Sequence, residues 1–424
     1  MPFIYDPTAG SSTPTVEEWV RPSDWLAMPT VLPTDHKFVG LFAVYNHESN
    51  FVSLMASGNY TVDWGDGVVE NVNSYVKRDH IYDYTAISDS TLCSRGYKQV
   101  LITVTPQAGQ TFNDLRLRQR HSQAGLQAYN APWLDIVLAG TNLTTIIFGG
   151  QVGTINIALL ERCRILSMGA VTTFANLFEN CRSLQSVELP STASVTTMNS
   201  MFNDCHSLRK LPTLNPTSLT DTSNMFRNCY LLEEVPLLNT GSATNMSGMF
   251  TGCQSITTIP QYNTDSATNV SSMFSGCTRL NTIPLLNTAS ATNMGSMFNL
   301  CSKLESIPAL NTSLATTMPS FQSCISLQTI PTLNASANTG TLVFAFQGCT
   351  SLSSAVLSGN KKQVSYINCK LSRQAIVDIF NALGTADGAT TGDRTITVTS
   401  NWGAPSLTAG DLAIATAKNW TVAV

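Results

Sequence analysis

ATNMSGMFTGCQSITTIP, residues 243–260, returns 24 residues later as ATNVSSMFSGCTRLNTIP, residues 267–284. The same spacing sets Cys181, Cys205, Cys229, Cys253, Cys277 and Cys301 in one register, with Cys324 and Cys349 following at 23 and 25. An aromatic stands three residues before each: Phe178, Phe202, Phe226, Phe250, Phe274, Phe298, Phe321 and Phe346. Eight registers of one short unit mean a solenoid, in which each coil buries its apolar face against its neighbours. Function is then to be sought on binding surfaces before catalytic clefts.

Within one unit, Met246, Met249, Phe250 and Cys253 fall at i, i+3, i+4 and i+7, the spacing of one face of a short helix. Asn245 precedes it, and its counterparts Thr197, Asp221, Asn269, Asn293 and Thr317 all carry a side-chain oxygen, as an N-cap column would. Two residues after each Phe come Asn180, Asp204, Asn228, Gly252, Gly276 and Gly348, which tolerate a left-handed backbone; Leu300 and Ser323 break that column. After the Cys, Leu208, Leu211 and Pro212 or Leu304, Ile307 and Pro308 suggest a short strand closed by proline. Asn215, Asn239, Asn263, Asn287, Asn311 and Asn334 follow as a turn column. The unit predicted is strand, turn, short helix, turn, with Phe250, Cys253, Ile256 and Ile259 fully buried.

These runs resemble the leucine-rich repeats of the bacterial surface-antigen (BspA-like) type over about residues 172–357. The resemblance implies a curved solenoid of the kind found in adhesins and in cell-surface or phage proteins. It implies no single ligand and no catalytic residues.

Cysteines one coil apart would lie roughly 5 Å from each other, so bridges between coils are sterically conceivable. A ladder would pair only alternate gaps, however, and the chain has 11 Cys, an odd number. Buried, reduced thiols filling small core positions are the expectation. No CxxC pair or His cluster accompanies the column, and no metal is expected.

The first third carries a different pattern. YTVDWGDG (Tyr60 to Gly67) alternates like a strand and enters an Asp/Gly turn; His80-Ile81-Tyr82 and then Gly96-Tyr97-Lys98-Gln99-Val100 follow. The order DWGDG, HxY, GYxxV resembles polycystic-kidney-disease (PKD) type immunoglobulin-like β-sandwiches over about residues 38–106, with a longer insertion from Tyr84 to Arg95. Asp63 and Asp66 could act as acid/base carboxylates, as calcium ligands, or as caps of their own turn. Residues 1–37 form a Pro- and Thr-rich arm whose Trp19 and Trp25 read as anchors, on this chain's own sandwich or on a partner. Residues 107–171 read as linker and N-terminal cap, with degenerate coils around Leu143 and Cys163. In 358–424, Leu371 to Gly384 spells an amphipathic helix with Ile376, Ile379, Phe380 and Leu383 on one face, and a second helix and a strand follow Trp402. The fold class expected is α+β, mostly β: a PKD/immunoglobulin-like sandwich, a leucine-rich-repeat-like solenoid and a C-terminal α/β cap.

Only 12% of the 424 residues are charged, net charge is −4, and no Lys/Arg run occurs. Nucleic acid and anionic membrane therefore have no electrostatic footprint. No run reaches the ~18–20 apolar residues of a membrane span, and MPFIYDPTAG lacks the basic and apolar regions of a signal peptide. HExxH, GxSxG, Walker and GxGxxG patterns are absent, the five His (36, 47, 80, 121 and 206) are scattered, and the acid pairs Glu17-Glu18 and Glu233-Glu234 are mere sequence neighbours. His80 and Cys93 lack a third group. A non-enzymatic virion surface protein of a phage, with no cofactor, is the expectation. Its solenoid would meet a host-surface glycan or protein, its arm and sandwich other virion proteins, and it could form a homo-oligomer. The alternatives are a capsid or tail decoration protein with a projecting solenoid and, third, a bacterial adhesin. The residues that vary between buried Leu/Ile positions should form the recognition face: Arg209, Lys210, Glu233, Glu234, Thr257, Thr258, Asn281, Thr282, Glu305 and Ser306, with Leu237, Gln261 and Leu285 just after each Pro.

Overall fold

The computed structural model describes residues 19–47, 50–117, 131–148, 157–388 and 390–424. His121, Pro14 and the Glu17-Glu18 pair lie outside the described residues.

The N-terminal strands are β1 (Lys37–Val44), β2 (Phe51–Ala56), β3 (Tyr60–Asp63), β4 (Val69–Val72), β5 (Arg78–Ile81), β6 (Lys98–Pro106), β7 (Asp114–Arg116), β8 (Trp133–Ala139), β9 (Thr145–Ile147), β10 (Arg162–Ser167) and β11 (Ser186–Glu188). They form two sheets, β11-β10-β8-β1-β6-β3-β4 and β5-β2-β7-β9, consistent with a sandwich. Pairing is antiparallel from β8 through β1 to β4 and turns parallel at β8-β10 and β10-β11. The other sheet makes the same change at β7-β9. Both sheets therefore run on from the sandwich into the first coils, and one hydrophobic core extends from Phe38 to Trp420.

β8 is buried on both faces, Asp135 included. A buried carboxylate needs a partner, and Arg21 of the arm supplies it, Nε to Oδ2 at 2.8 Å. The arm thus covers the outer face of β1 and β8, where Trp25 packs with Leu41, Ala43, Tyr97 and Leu134. The Tyr84–Arg95 insertion is pinned by buried Lys98, whose Nζ donates to the carbonyls of Tyr84 and Ile87.

In the coils, the short helix expected from Met246 to Cys253 does not form. Two consecutive turns replace it. Met249 and Cys253 N–H groups donate back three residues, to Met246 and Phe250. Their third positions, Gly248 and Gly252, have φ +62° and +76°, as a type II turn requires. The intervening donors turn outward along the solenoid: Met246, Gly248, Phe250 and Gly252 N–H reach the carbonyls of Asn269, Ser271, Met273 and Ser275 at 2.7–2.9 Å. Each turn places its first and last residue inward, which reproduces the helical spacing without a helix. The expected N-cap column is instead a one-residue-wide parallel ladder, Thr173, Thr197, Asp221, Asn245, Asn269, Asn293, Thr317. Its side chains do cap locally, Asn245 Oδ1 accepting from Ser247 N.

The strand after each Cys is also weaker than expected. Among the described residues, regular pairing there is confined to β11 at the start, with single bridges Ser306–Thr329 and Thr329–Ser354 at the end; β12 (Leu333–Asn334) and β13 (Leu357–Ser358) pair beyond Pro331, in the turn column. In between, the coils meet through long contacts such as Glu233 N to Arg209 O at 3.4 Å. A proline at 212, 236, 260, 284 and 308 removes one donor from every coil.

Inside, Phe250, Cys253 and Ile256 are fully buried and Ile259 nearly so. The Phe column is continuous, and Phe148 and Tyr366 extend it at its two ends, with centroids 4.7–6.0 Å apart. From Cys205 to Cys349 each repeat thiol donates to the carbonyl of the previous coil's Phe, for example Cys253 Sγ to Phe226 O at 3.0 Å. All 11 cysteines are free and buried.

The C-terminal end is closed by β14 (Val364–Ser365), β15 (Thr395–Thr397) and β16 (Thr421–Ala423), a parallel sheet, with α1 (Arg373–Ala382) and α2 (Ala409–Thr416). Ser372 caps α1, and Ile376, Ile379 and Phe380 face the core. Thr408 and Asp411 make a capping box on α2, and Arg373 grips Asp411 with two hydrogen bonds of 2.8 and 2.9 Å.

Candidate recognition surface

After each Cys the chain runs buried Leu or Ile, two outward residues, then a second apolar residue and Pro. The outward pairs are exposed or half-exposed: Arg209 and Lys210, Glu233 and Glu234, Thr257 and Thr258, Asn281 and Thr282, Glu305 and Ser306. Charge is concentrated in the first coils, where Arg209 Nη1 meets Glu233 Oε1 at 3.0 Å across neighbouring coils. After the prolines, Leu237 and Leu285 are 66% and 61% exposed, unusual for leucine in a chain so thoroughly packed.

Two concavities gather some of these residues. One, of about 710 Å³, lies on the turns after the prolines and is lined by Gln261, Tyr262, Asn263, Asp265, Leu285 and Asn287 among others. Gln261 Nε2 donates to Leu285 O, and Asn287 Nδ2 to Asp265 Oδ1 at 2.7 Å. Leu237, one coil earlier, is outside this lining. The second, also about 710 Å³, lies where the arm meets the first coils and joins Trp19, Val20, Arg95 and Glu161 to Gln185, Ser207, Arg209 and Lys210. Trp19 Nε1 donates to Glu161 Oε2 at 3.3 Å, and Arg95 pairs with Glu161. Glu233 and Glu234 line neither.

Trp25 is buried against the sandwich, its Nε1 donating to Tyr97 Oη at 3.1 Å. It has no surface left to offer. Trp19 keeps part of its ring at the wall of the second groove. Sequence reasoning missed Arg95 and Glu161, which are brought to Arg209 from far along the chain with nothing in their local spacing to signal it, and Gln185, which the 24-residue period places one coil before Arg209.

The DWGDG and HxY motifs close on each other. Asp63 Oδ1 accepts from Gly65 N and Asp66 Oδ1 from Val68 N, so both carboxylates cap their turn. His80 stacks on Trp64 at 4.7 Å and its Nε2 lies 2.7 Å from Asp66 Oδ2, while Tyr82 Oη donates to Trp64 O. Burial, with Asp66 and Asp63 nearby, pushes the Tyr82 hydroxyl well above its ordinary range. Cys93 belongs to the Trp25 cluster, away from this set. Among the described residues no group of three or more His, Cys, Asp or Glu is placed to hold a metal ion, and no helix is long and apolar enough to cross a membrane.

A family model described as "Mycoplasma protein of unknown function, DUF285" matches residues 161–258 and 220–333. The two matches begin at β10 and end at β12, and so cover coils but neither the sandwich nor the C-terminal cap. Over these coils the solenoid is thus similar to a BspA-like repeat family. No curated protein matches the chain.

Proposed function

We propose that the chain is a non-enzymatic surface protein of a phage virion, presenting its solenoid to a host-surface glycan or protein. The observation that carries this is the contrast between the two sides of each coil. The Phe, Cys and turn columns repeat almost unchanged, whereas the outward pairs from Arg209 to Ser306 change charge and size from coil to coil. Variation on a fixed scaffold is what a recognition face requires. Free, buried thiols suit assembly in a reducing compartment.

A second reading, a capsid or tail decoration protein, is favoured by the strands that stand at the sheet edges among the described residues. β4 and β5 each end a sheet and carry exposed Val69 and Ile81, and unpaired edges invite pairing with another chain. Adsorption of the full-length protein to host cells separates the two. The Arg209→Ala, Glu234→Ala double variant should adsorb more weakly with its melting temperature unchanged. Unchanged adsorption, with these residues facing a neighbouring subunit in a map of the particle, favours decoration.

A further inference from the structure

We propose that the groove on the turns after the prolines holds an extended, uncharged saccharide chain along the solenoid axis, one sugar ring per coil. The proposal rests on the recognition reading above and names its ligand class and place. Three coils line the groove with equivalent residues: Gln261, Leu285 and Ala309, then Asn263, Asn287 and Asn311. Equivalents lie about 4.8 Å apart, close to the length of one ring in an extended chain. An extended peptide brings side chains to one face only every ~6.6 Å and falls out of step with the coils. It would also find the carbonyls of Leu285, Asn287 and Asn311 taken, the first by Gln261 Nε2 and the others by the hydroxyls of Thr264 and Thr288.

The lining matches the two surfaces of a sugar ring, its C–H faces and its O–H edges. Leu285 stands exposed beside buried Leu286 and Leu310. The three Asn side-chain oxygens accept from the main-chain N–H groups of Asp265, Ala289 and Ser313, which leaves their amide nitrogens as donors. Asn287 donates its own to Asp265 Oδ1. Asn263 and Asn311 have Gly241 and Ala289 where Asn287 has Asp265, and neither carries a side-chain acceptor. Two amide donors thus flank one carboxylate acceptor, a set that hydroxyls satisfy because each is donor and acceptor at once. No Lys, Arg or His is among the lining residues and Asp265 is their one charge, so an anionic chain is repelled. The volume, about 710 Å³, lies within the range of small-molecule sites.

The test titrates full-length protein with neutral β-linked oligomers of glucose, mannose and N-acetylglucosamine, two, three and six rings long. Maltotriose, which is α-linked and curved, and the cationic deacetylated form of the N-acetylglucosamine trimer serve as comparators. At least one β-linked series should bind, more tightly from two rings to three and level beyond, with little dependence on salt. Leu285→Ser should weaken trimer binding about tenfold at an unchanged melting temperature. Leu237→Ser, as exposed but one coil outside the groove, should leave it unaltered. No binding of any β-linked series, equal binding of maltotriose, tighter binding of the deacetylated trimer, or unaltered binding by Leu285→Ser would each overturn the proposal. Host-cell adsorption by Leu285→Ser keeps the two levels apart. Weakened adsorption, with no oligomer bound by the wild type, overturns the saccharide and leaves the recognition face standing; intact adsorption alongside lost oligomer binding upholds the groove and places host recognition elsewhere.

Discussion

Leu300 stands where its equivalents are Asn228, Gly252, Gly276 and Gly348, and its φ is +62°. For an L-residue with a Cβ that conformation costs roughly 1–2 kcal/mol, and the position persists because the turn bonds on both sides determine it. The side chain is 53% exposed, so little packing offsets the strain. Leu300→Asn should therefore stabilise the protein by about 1 kcal/mol, read as a rise in urea midpoint; a fall would show that the leucine packs usefully. At the other end of the chain, Arg21 is the partner of a fully buried Asp135. Arg21→Ala leaves that carboxylate unpaired and should cost about 3–5 kcal/mol, and adding Asp135→Asn should recover much of it. Additive losses in the double variant would mean that the ion pair is not what holds the arm.

Among the elements, the turn pair shows how far the sequence could be read. The apolar spacing of Met246, Met249, Phe250 and Cys253 fits a helix and two successive turns equally well, because both return a side chain to one face at three and four residues. The discriminating residues were the column two before the first six repeat phenylalanines, Phe178 to Phe298: Asn176, Ser200, Asn224, Gly248, Ser272 and Ser296. All are poor helix formers in mid-element, and every one has positive φ. The core columns, the C-terminal helix and the outward pairs were legible because burial follows local periodicity. The arm groove was not, since Trp19, Arg95 and Arg209 meet only through tertiary packing.

The thiol column carries its own pH dependence. Burial pushes Cys349 and Cys369 up to about 12 from an ordinary 9.0. It also raises Cys163, Cys181, Cys205, Cys229, Cys253 and Cys277, while Cys324 is raised first by its hydrogen bond with Cys301 and then by burial. The unfolded chain thus ionises first. Stability is full below about pH 9 and falls as pH rises towards 12, by about 1.36 kcal/mol per pH unit for each thiol involved. Urea midpoints between pH 7 and pH 11 should show a steep alkaline decline, with thiol reagents inert until unfolding. A flat profile would mean thiols already ionised in the folded protein.

The whole molecule is a column with two lids. The sandwich hands both its sheets to the first coils, and α1, α2 and Trp420 close the far end, where Trp420 Nε1 donates to Gly384 O at 2.9 Å. Between the lids, each coil answers only to its neighbours, so stability accumulates by nearest-neighbour contacts.

The parallel ladder from Thr173 to Thr317 makes length a quantity that inheritance can adjust. Removing residues 245–268 joins Thr244 to Asn269, and every column closes up on its own equivalent. Such a shortened protein should fold and lose about 4.8 Å of reach. A 12-residue excision would instead set a turn against an extended segment and should not yield a folded chain. Misaligned exchange between tandem copies in the gene would yield the first kind of product and so a graded series of lengths, in which the lids and their grooves stay the same while the distance between them changes.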